Sequence, residues 1–183
     1  MWPVTFRRSA LVLLLCLSVL GVACTGDPGG EEHPRIAARN ATTAALLPTD
    51  AAALPDFDLE LFDELLGQLR GTPVVVNVWG SWCGPCRDEA RDLVAAHGRY
   101  GDRVQFLGVD ILDARGSARA YQREFAITYP SVFDPPGRIR DGLGLLGQPV
   151  TLFYDRSGAL VGSWTGAIPG DELDRRLAEI LPD

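Results

Sequence analysis

The chain has 183 residues, 46% of them hydrophobic, which is enough for one domain with a substantial core and some additional sequence. Its formal net charge is −7 and its sequence pI is near 4.8. Nucleic-acid recognition rests on clustered arginine and lysine, and no basic run occurs outside Arg7–Arg8. The composition therefore argues against a nucleic-acid-binding surface.

The N-terminal residues have the pattern of an export signal. A pair of arginines precedes an apolar run over residues 10–23, which is shorter than the roughly 20 apolar residues of a membrane-spanning helix. The five residues that end at Cys24 resemble a bacterial lipobox, although Gly21 stands where that pattern prefers leucine. We expect an export signal over residues 1–23 and a lipid anchor on Cys24 at the outer face of the cytoplasmic membrane. Simple cleavage before Cys24, which would leave a free thiol, is the alternative.

Residues 24–55 mix Gly, Pro, Thr, Ala and charged residues without a sustained period, which predicts a flexible tether. His33 lies in this stretch, where a lone histidine is more often exposed than bound to a metal. The folded domain is predicted over residues 56–183.

Strands and helices alternate along the predicted domain. A short edge strand is predicted at Asp56–Leu59, a helix at Phe62–Leu69 and a buried, β-branched strand at Pro73–Trp79. A helix follows Cys86, with Gly98 as its predicted end. The remaining predicted elements are a strand at Val104–Asp110, a helix at Ser117–Phe125, an extended piece at Tyr129–Phe133, a hairpin of Val150–Tyr154 and Ala159–Trp164, and a closing helix at Asp171–Leu181. This order predicts an α/β fold with a mixed sheet and helices on both faces.

Cys83 and Cys86 lie where the buried strand gives way to a helix. A cysteine there faces unsatisfied backbone N–H groups and the positive end of the helix dipole, and both stabilise a thiolate. Cys83 is therefore predicted to be the attacking nucleophile and Cys86 the resolving thiol. Pro85 suits the first helical turn, and Gly84 permits close approach of a substrate chain. A zinc site is the alternative, but it needs two more ligands, and the chain has only two histidines.

Several motifs of this chain resemble those of a known family. The stretch Val76–Cys86 resembles the active site of the thioredoxin superfamily, and Gln148–Pro149 resembles the cis-proline loop that faces the disulfide in that superfamily. Asn77, Glu89, the strand–helix segment between Asp110 and Gly147, and the exported tether together resemble the TlpA/ResA/DsbE branch. The resemblance extends over the whole predicted domain.

The resemblance implies a thioredoxin-like fold with an inserted strand–helix segment and a redox disulfide between Cys83 and Cys86. It also implies that Glu89 helps to move the proton of Cys86; a solvated helix position is the alternative. The implied substrate-binding residues are Trp82, Gly84, Pro85, Gln148 and Pro149, with backbone hydrogen bonds to an extended substrate segment near the proline. An ordinary trans proline is the alternative for Pro149.

The predicted activity is thiol–disulfide exchange with protein substrates, with the cysteine pair as the only redox group. The Gly84–Pro85 dipeptide matches that of reducing thioredoxins, for which about −270 mV is typical, against about −120 mV for a strong oxidant. In this branch such a reductase commonly keeps apocytochrome c thiols ready for haem attachment and is recharged by a membrane thiol donor of the CcdA/DsbD type. An exported disulfide oxidase is the alternative, and a non-catalytic metal- or haem-binding module is a third.

Overall fold

The protein is described over residues 45–181 of a computed structural model. The predicted export signal, Cys24 and His33 lie outside these described residues. The strands of the described part are β1 Val74–Trp79, β2 Gln105–Ile111, β3 Ser131–Asp134, β4 Val150–Tyr154 and β5 Leu160–Thr165, and its helices are α1 Leu59–Gln68, α2 Gly84–Tyr100, α3 Arg115–Phe125, α4 Arg138–Gly142 and α5 Gly170–Ile180. None of these helices is long and apolar enough to cross a membrane.

The five strands form one mixed sheet in the order β3-β2-β1-β4-β5. β1 pairs in parallel with β2, and β2 pairs in parallel with β3. β4 runs antiparallel to β1, and β5 runs antiparallel to β4. All six residues of β1 are buried, as its valine-rich sequence predicts for a central strand covered on both faces.

Successive side chains of β1 point to opposite faces of the sheet, and each face has its own core. On one face, Val75 and Trp79 pack with buried residues of α2, α3 and α5. On the other face, Val74, Val76 and Val78 pack with buried residues of α1 and α4. The predicted α/β fold with a mixed sheet and helices on both faces is therefore confirmed.

The edge strand predicted at the start of the domain is wrong in detail. The edge strand predicted at Asp56–Leu59 is only a single bridge between Asp56 and Phe133, because α1 already begins at Leu59. The side chain of Asp58 caps that helix by accepting a hydrogen bond from the Leu61 amide at 2.9 Å. This cap ends the extended conformation after two or three residues.

The tether predicted over residues 24–55 also extends too far. Leu54 is fully buried, and Leu46 and Leu47 pack against the core on the α1 side of the sheet. The Leu46 amide donates to the side-chain oxygen of Gln68 at 3.0 Å. Packed structure therefore begins before residue 56, because three leucines without a regular period still bury apolar surface.

The remaining differences concern helix ends. α2 continues through the predicted stop at Gly98 to Tyr100, since an exposed glycine inside a helix is tolerated. α4 was not predicted. It follows a buried aspartate, Asp134, whose carboxylate accepts hydrogen bonds from the backbone amides of Arg138 and Ile139 at 3.0 and 2.7 Å. A five-residue helix is too short to show a periodic pattern in sequence.

Candidate active site

Cys83 is the N-cap residue of α2 and follows the loop Gly80–Trp82 that leaves β1. Its Sγ accepts a hydrogen bond from the Cys86 backbone amide at 3.2 Å, and Pro85 occupies the first helical turn. An N-cap acceptor satisfies one of the unpaired amides at a helix start, and the helix dipole favours negative charge there. The same contact that caps the helix can thus stabilise a thiolate on Cys83.

Cys83 and Cys86 form a disulfide, with an S–S distance of 2.08 Å and a Cα–Cα distance of 5.2 Å. Cys83 retains 4% of its surface exposed, whereas Cys86 has none. An incoming thiolate therefore meets the sulfur of Cys83 first. The burial order matches the predicted roles of attacking and resolving cysteine.

Glu89 lies on the inner face of α2, three residues after Cys86 and hence one helical turn further on. It is 1% exposed, so the alternative of a solvated helix position does not apply. Its Oε1 accepts a hydrogen bond from Asn77 Nδ2 at 2.7 Å, and its Oε2 accepts one from the Ile168 amide at 2.8 Å. Asn77 also donates to Thr151 Oγ1 at 3.3 Å. β1, β4 and the segment before α5 thus fix this carboxylate beneath the cysteine pair.

Burial raises the pKa of Glu89 from 4.5 to about 7, against the hydrogen bonds from Ile168 and Asn77, which lower it. A carboxyl group with a pKa near neutrality exists in both protonation states at physiological pH. Glu89 can therefore accept a proton from a neighbouring thiol and return it, which is the role that the family resemblance implied.

Tyr121 of α3 is a site residue that sequence analysis missed. Its hydroxyl donates to the Cys86 carbonyl oxygen at 2.7 Å, and its ring stacks on Trp79 with a centroid distance of 4.5 Å. The helical period of α3 indicates only that Tyr121 faces inward. No local signal places it against Cys86, which is 35 positions earlier in the chain.

The predicted substrate-binding residues lie at the start of α2 and at the end of the sheet nearest to it. Trp82 is 54% exposed, while its indole nitrogen donates to the Leu112 carbonyl at 3.0 Å. Gly84 and Pro85 are also exposed. The Gln148–Pro149 peptide bond is cis, so the trans alternative is wrong. It directly precedes β4, at the end of the sheet from which the cysteine loop leaves β1.

Within residues 45–181, no three His, Cys, Asp or Glu side chains are grouped so as to hold a metal ion. His97, the histidine of the described region, packs edge-on against the rings of Phe106 and Tyr129. Its Nδ1 lies 3.2 Å from Thr128 Oγ1, and burial lowers its pKa. His97 is half-buried, and its ring contacts are those of a packed side chain at the edge of the core.

A disulfide capping the helix after a buried parallel strand, above a buried carboxyl, defines a thioredoxin-like thiol–disulfide oxidoreductase. Residues 51–163 match the model of the AhpC/TSA family, and the chain belongs to that family. It is 27% identical over 178 residues to the thiol-disulfide oxidoreductase ResA of Geobacillus thermodenitrificans, covering 94% of each chain. It is 30% identical over 135 residues to the thiol:disulfide interchange protein DsbE of Xylella fastidiosa, covering 70% of this chain and 68% of DsbE.

A solved structure adds to this comparison. A secreted Mycobacterium tuberculosis disulfide oxidoreductase homologous to E. coli DsbE superposes with a TM-score of 0.58 at 26% identity, over 62% of this chain and 85% of that one. Fold, cysteine pair and relatives agree, and the protein is a thiol–disulfide oxidoreductase.

Proposed function

We propose that this oxidoreductase is exported, tethered to the outer face of the cytoplasmic membrane through Cys24, and works as a reductase of the cytochrome c maturation type. Support for export comes from the arginine pair and apolar run at the N-terminus and from the similarity to the mycobacterial disulfide oxidoreductase, which is a secreted protein. Support for the cytochrome c role comes from the resemblance to the TlpA/ResA/DsbE branch.

The buried carboxyl of Glu89, one turn from Cys86, carries the proposed direction of electron flow. When ionised, it opposes a second negative charge on the nearby sulfur. The reduced pair is thereby raised in free energy relative to the disulfide, and a destabilised dithiol gives up its electrons more readily. The hydrogen bond from the Cys86 amide to Cys83 Sγ has the opposite effect, because it stabilises a thiolate on Cys83 and therefore the reduced pair. The measured redox potential decides which effect is larger, and hence whether the protein is a reductase or an oxidase.

Exchange in the reducing direction takes two steps. The Cys83 thiolate attacks a substrate disulfide, forming a mixed disulfide and releasing the first substrate thiolate. Cys86 then transfers its proton to Glu89 and attacks Cys83 Sγ. The bond from Cys83 to the substrate breaks, the second substrate thiolate leaves, and the Cys83–Cys86 disulfide forms. Two electrons pass to the substrate, and a membrane thiol donor of the CcdA/DsbD type restores the dithiol.

The substrate segment lies between Trp82 and the Gln148–Pro149 turn in this proposal. The Pro149 carbonyl already accepts a hydrogen bond from the Gly166 amide at 2.9 Å, and proline has no N–H. Backbone bonds to an extended substrate are therefore assigned to Gln148. Such bonds do not depend on sequence, which suits protein substrates such as apocytochrome c.

The decisive experiment is the redox potential of the Cys83/Cys86 couple. A value near about −270 mV supports the reductase, whereas a value near about −120 mV makes the protein an oxidase. Glu89→Gln is the matched variant. It should shift the potential towards the oxidising side above neutral pH, because a neutral amide no longer opposes a thiolate. An unchanged redox potential would show that the charge of Glu89 does not destabilise the reduced cysteine pair.

Membrane attachment is tested separately in the native host. Mass spectrometry of the mature N-terminal peptide should find acyl chains on Cys24, and Cys24→Ala should release the protein from the membrane fraction. A mature chain that begins at an unmodified Cys24 would show simple secretion instead, without affecting the redox assignment.

A further inference from the structure

The active-site loop is held from one side by the connection between β2 and α3. The Ser81 amide donates to Asp113 Oδ2 at 2.6 Å, and the Trp82 indole nitrogen donates to the Leu112 carbonyl at 3.0 Å. Asp113 Oδ1 accepts a hydrogen bond from the Ala114 amide at 2.7 Å. One carboxylate therefore links the loop before Cys83 to the start of α3.

Leu112 occupies a backbone conformation that a leucine rarely adopts, with φ of +52°. Residues persist in this left-handed region only where their surroundings fix them, and such positions concentrate at functional sites. Here the conformation brings the Leu112 carbonyl to the indole of Trp82. The β2–α3 connection is thus shaped to fit the active-site loop.

Asp110 lies beneath this connection, at a position of β2 that pairs with Trp79 of β1. It is fully buried, and within the described residues no hydrogen-bond partner is found for either of its carboxyl oxygens. The carboxyl of Asp113 lies close enough to act on Asp110 by its charge and, once a proton lies between the two groups, by a hydrogen bond. Asp113 itself is half-buried. When a buried carboxyl lies beside a second carboxyl, the charge of the second favours a proton on the buried one.

Other charged and titratable groups surround Asp110. Arg115 is the nearby cation, but its guanidinium donates to the Leu54 carbonyl and to Asp56. Tyr121 approaches from α3, and burial holds the pKa of its hydroxyl well above the ordinary range. Glu89 acts on the same tyrosine from α2. Of these titratable and charged groups, Asp113 is the one that acts on Asp110 by a hydrogen bond as well as by charge.

We propose that Asp110 keeps a proton and donates it to Asp113, and that this carboxyl pair is a positioning device that holds Ser81 and Trp82 beside Cys83. Asp113 then receives three donors: the Asp110 hydroxyl, the Ser81 amide and the Ala114 amide. Removal of the proton leaves two anions face to face. Their repulsion displaces the Asp113 carboxylate, and the loop loses its anchor.

The electrostatics agree with this geometry. Burial, followed by the charge of Asp113 and by the hydrogen bond that a proton on Asp110 can make to it, raises the pKa of Asp110 from 3.8 to about 9, with Arg115 acting against the rise. The pair is therefore protonated once at neutral pH and opens only in alkaline solution. The inference rests on the loop contacts and is independent of the direction of electron flow.

The test is a pH titration of the oxidised protein by carbon NMR, because the disulfide removes both cysteine thiols from the titration. The Asp110 carboxyl carbon and the Ser81 Cα should change shift together with a midpoint at about 9. Asp110→Asn offers a neutral N–H donor to Asp113, so the Ser81 step should disappear. Asp113→Asn removes the facing charge, so the Asp110 midpoint should move to lower pH.

Asp134→Asn is the matched control. Asp134 is equally buried and pairs with Ile111 at the end of β3, but its carboxylate has backbone donors, so this variant should leave the Ser81 step in place. The inference is overturned if Asp110 titrates in the ordinary acidic range of aspartate, or if the Ser81 step persists in Asp110→Asn. Thiol–disulfide exchange could still proceed in that case. Failure of this inference can therefore be distinguished from failure of the proposed function.

Discussion

Replacing Glu89 with glutamine should change how the stability of the oxidised protein depends on pH. The carboxyl has a pKa of about 7 in the folded protein and an ordinary value of 4.5. Between these two values, the folded state binds more protons than the unfolded state, so the free energy of unfolding falls as the pH rises. At about 1.4 kcal/mol for each pKa unit, this single group removes about 3 kcal/mol across that window.

Glutamine cannot ionise, and its amide fits the same site. Its oxygen can accept from the Ile168 amide while Asn77 turns its own side-chain oxygen towards the new NH₂ group. We therefore expect Glu89→Gln to have nearly wild-type stability in mildly acidic solution and to be more stable than wild type by up to about 3 kcal/mol above neutral pH.

Urea unfolding of the disulfide-bonded protein on both sides of neutral pH measures this difference. Asp110 also has a raised pKa and contributes to the pH dependence, but it does so in both proteins and cancels in the comparison. Parallel loss of stability in wild type and Glu89→Gln would refute the assignment of a raised pKa to Glu89. The rate of thiol–disulfide exchange should fall in Glu89→Gln, although its stability rises, because the variant has lost the proton acceptor. Its pH–rate profile should also flatten near neutrality.

Three further predictions concern the cysteine pair and its support. Cys86→Ala should accumulate mixed disulfides on Cys83 that are visible on non-reducing gels, whereas normal turnover would contradict the assigned roles. Gly108→Ala would place its Cβ against Ser131 Oγ, so urea unfolding should show a free energy of unfolding lower by about 1–3 kcal/mol. Adding Ser131→Ala should restore part of this stability, and an unchanged free energy of unfolding would contradict the close packing. Tyr121→Phe keeps the ring stack but loses the 2.7 Å bond to the Cys86 carbonyl, so stability should fall by about 1 kcal/mol, and an unchanged value would show that this bond contributes nothing.

Features that depend on neighbouring residues could be predicted from the sequence. β4 begins at Val150 and ends at Tyr154, as its apolar run indicates. The position of Cys83 at the start of α2 follows from Pro85, which suits the first helical turn, and from the valine-rich strand that ends a few residues earlier. The cis bond before Pro149 was expected only through the family resemblance, because few X–Pro bonds are cis.

Features that depend on strand register could not be predicted. The partner of Glu89 Oε2 is the amide of Ile168, which is 79 positions away. Asn77 interrupts an apolar strand in the sequence, and its burial is explained only by its two partners, Glu89 and the Thr151 that pairs with it in β4. Asp110 ends a predicted strand and Asp113 follows it, but nothing in the sequence places the Asp113 carboxylate against the Ser81 amide of the active-site loop.

Glu89 and Asp110 are both buried on the same face of the sheet, but their different neighbours give them different protonation behaviour. Glu89 faces two N–H donors, which partly offset the cost of burying its charge, and its pKa stops at about 7. Asp110 faces another carboxyl, which adds to that cost, and its pKa reaches about 9. At neutral pH the first acid can exchange a proton while the second retains one. The site therefore holds its loop in place over the same pH range in which Glu89 is free to serve the cysteines.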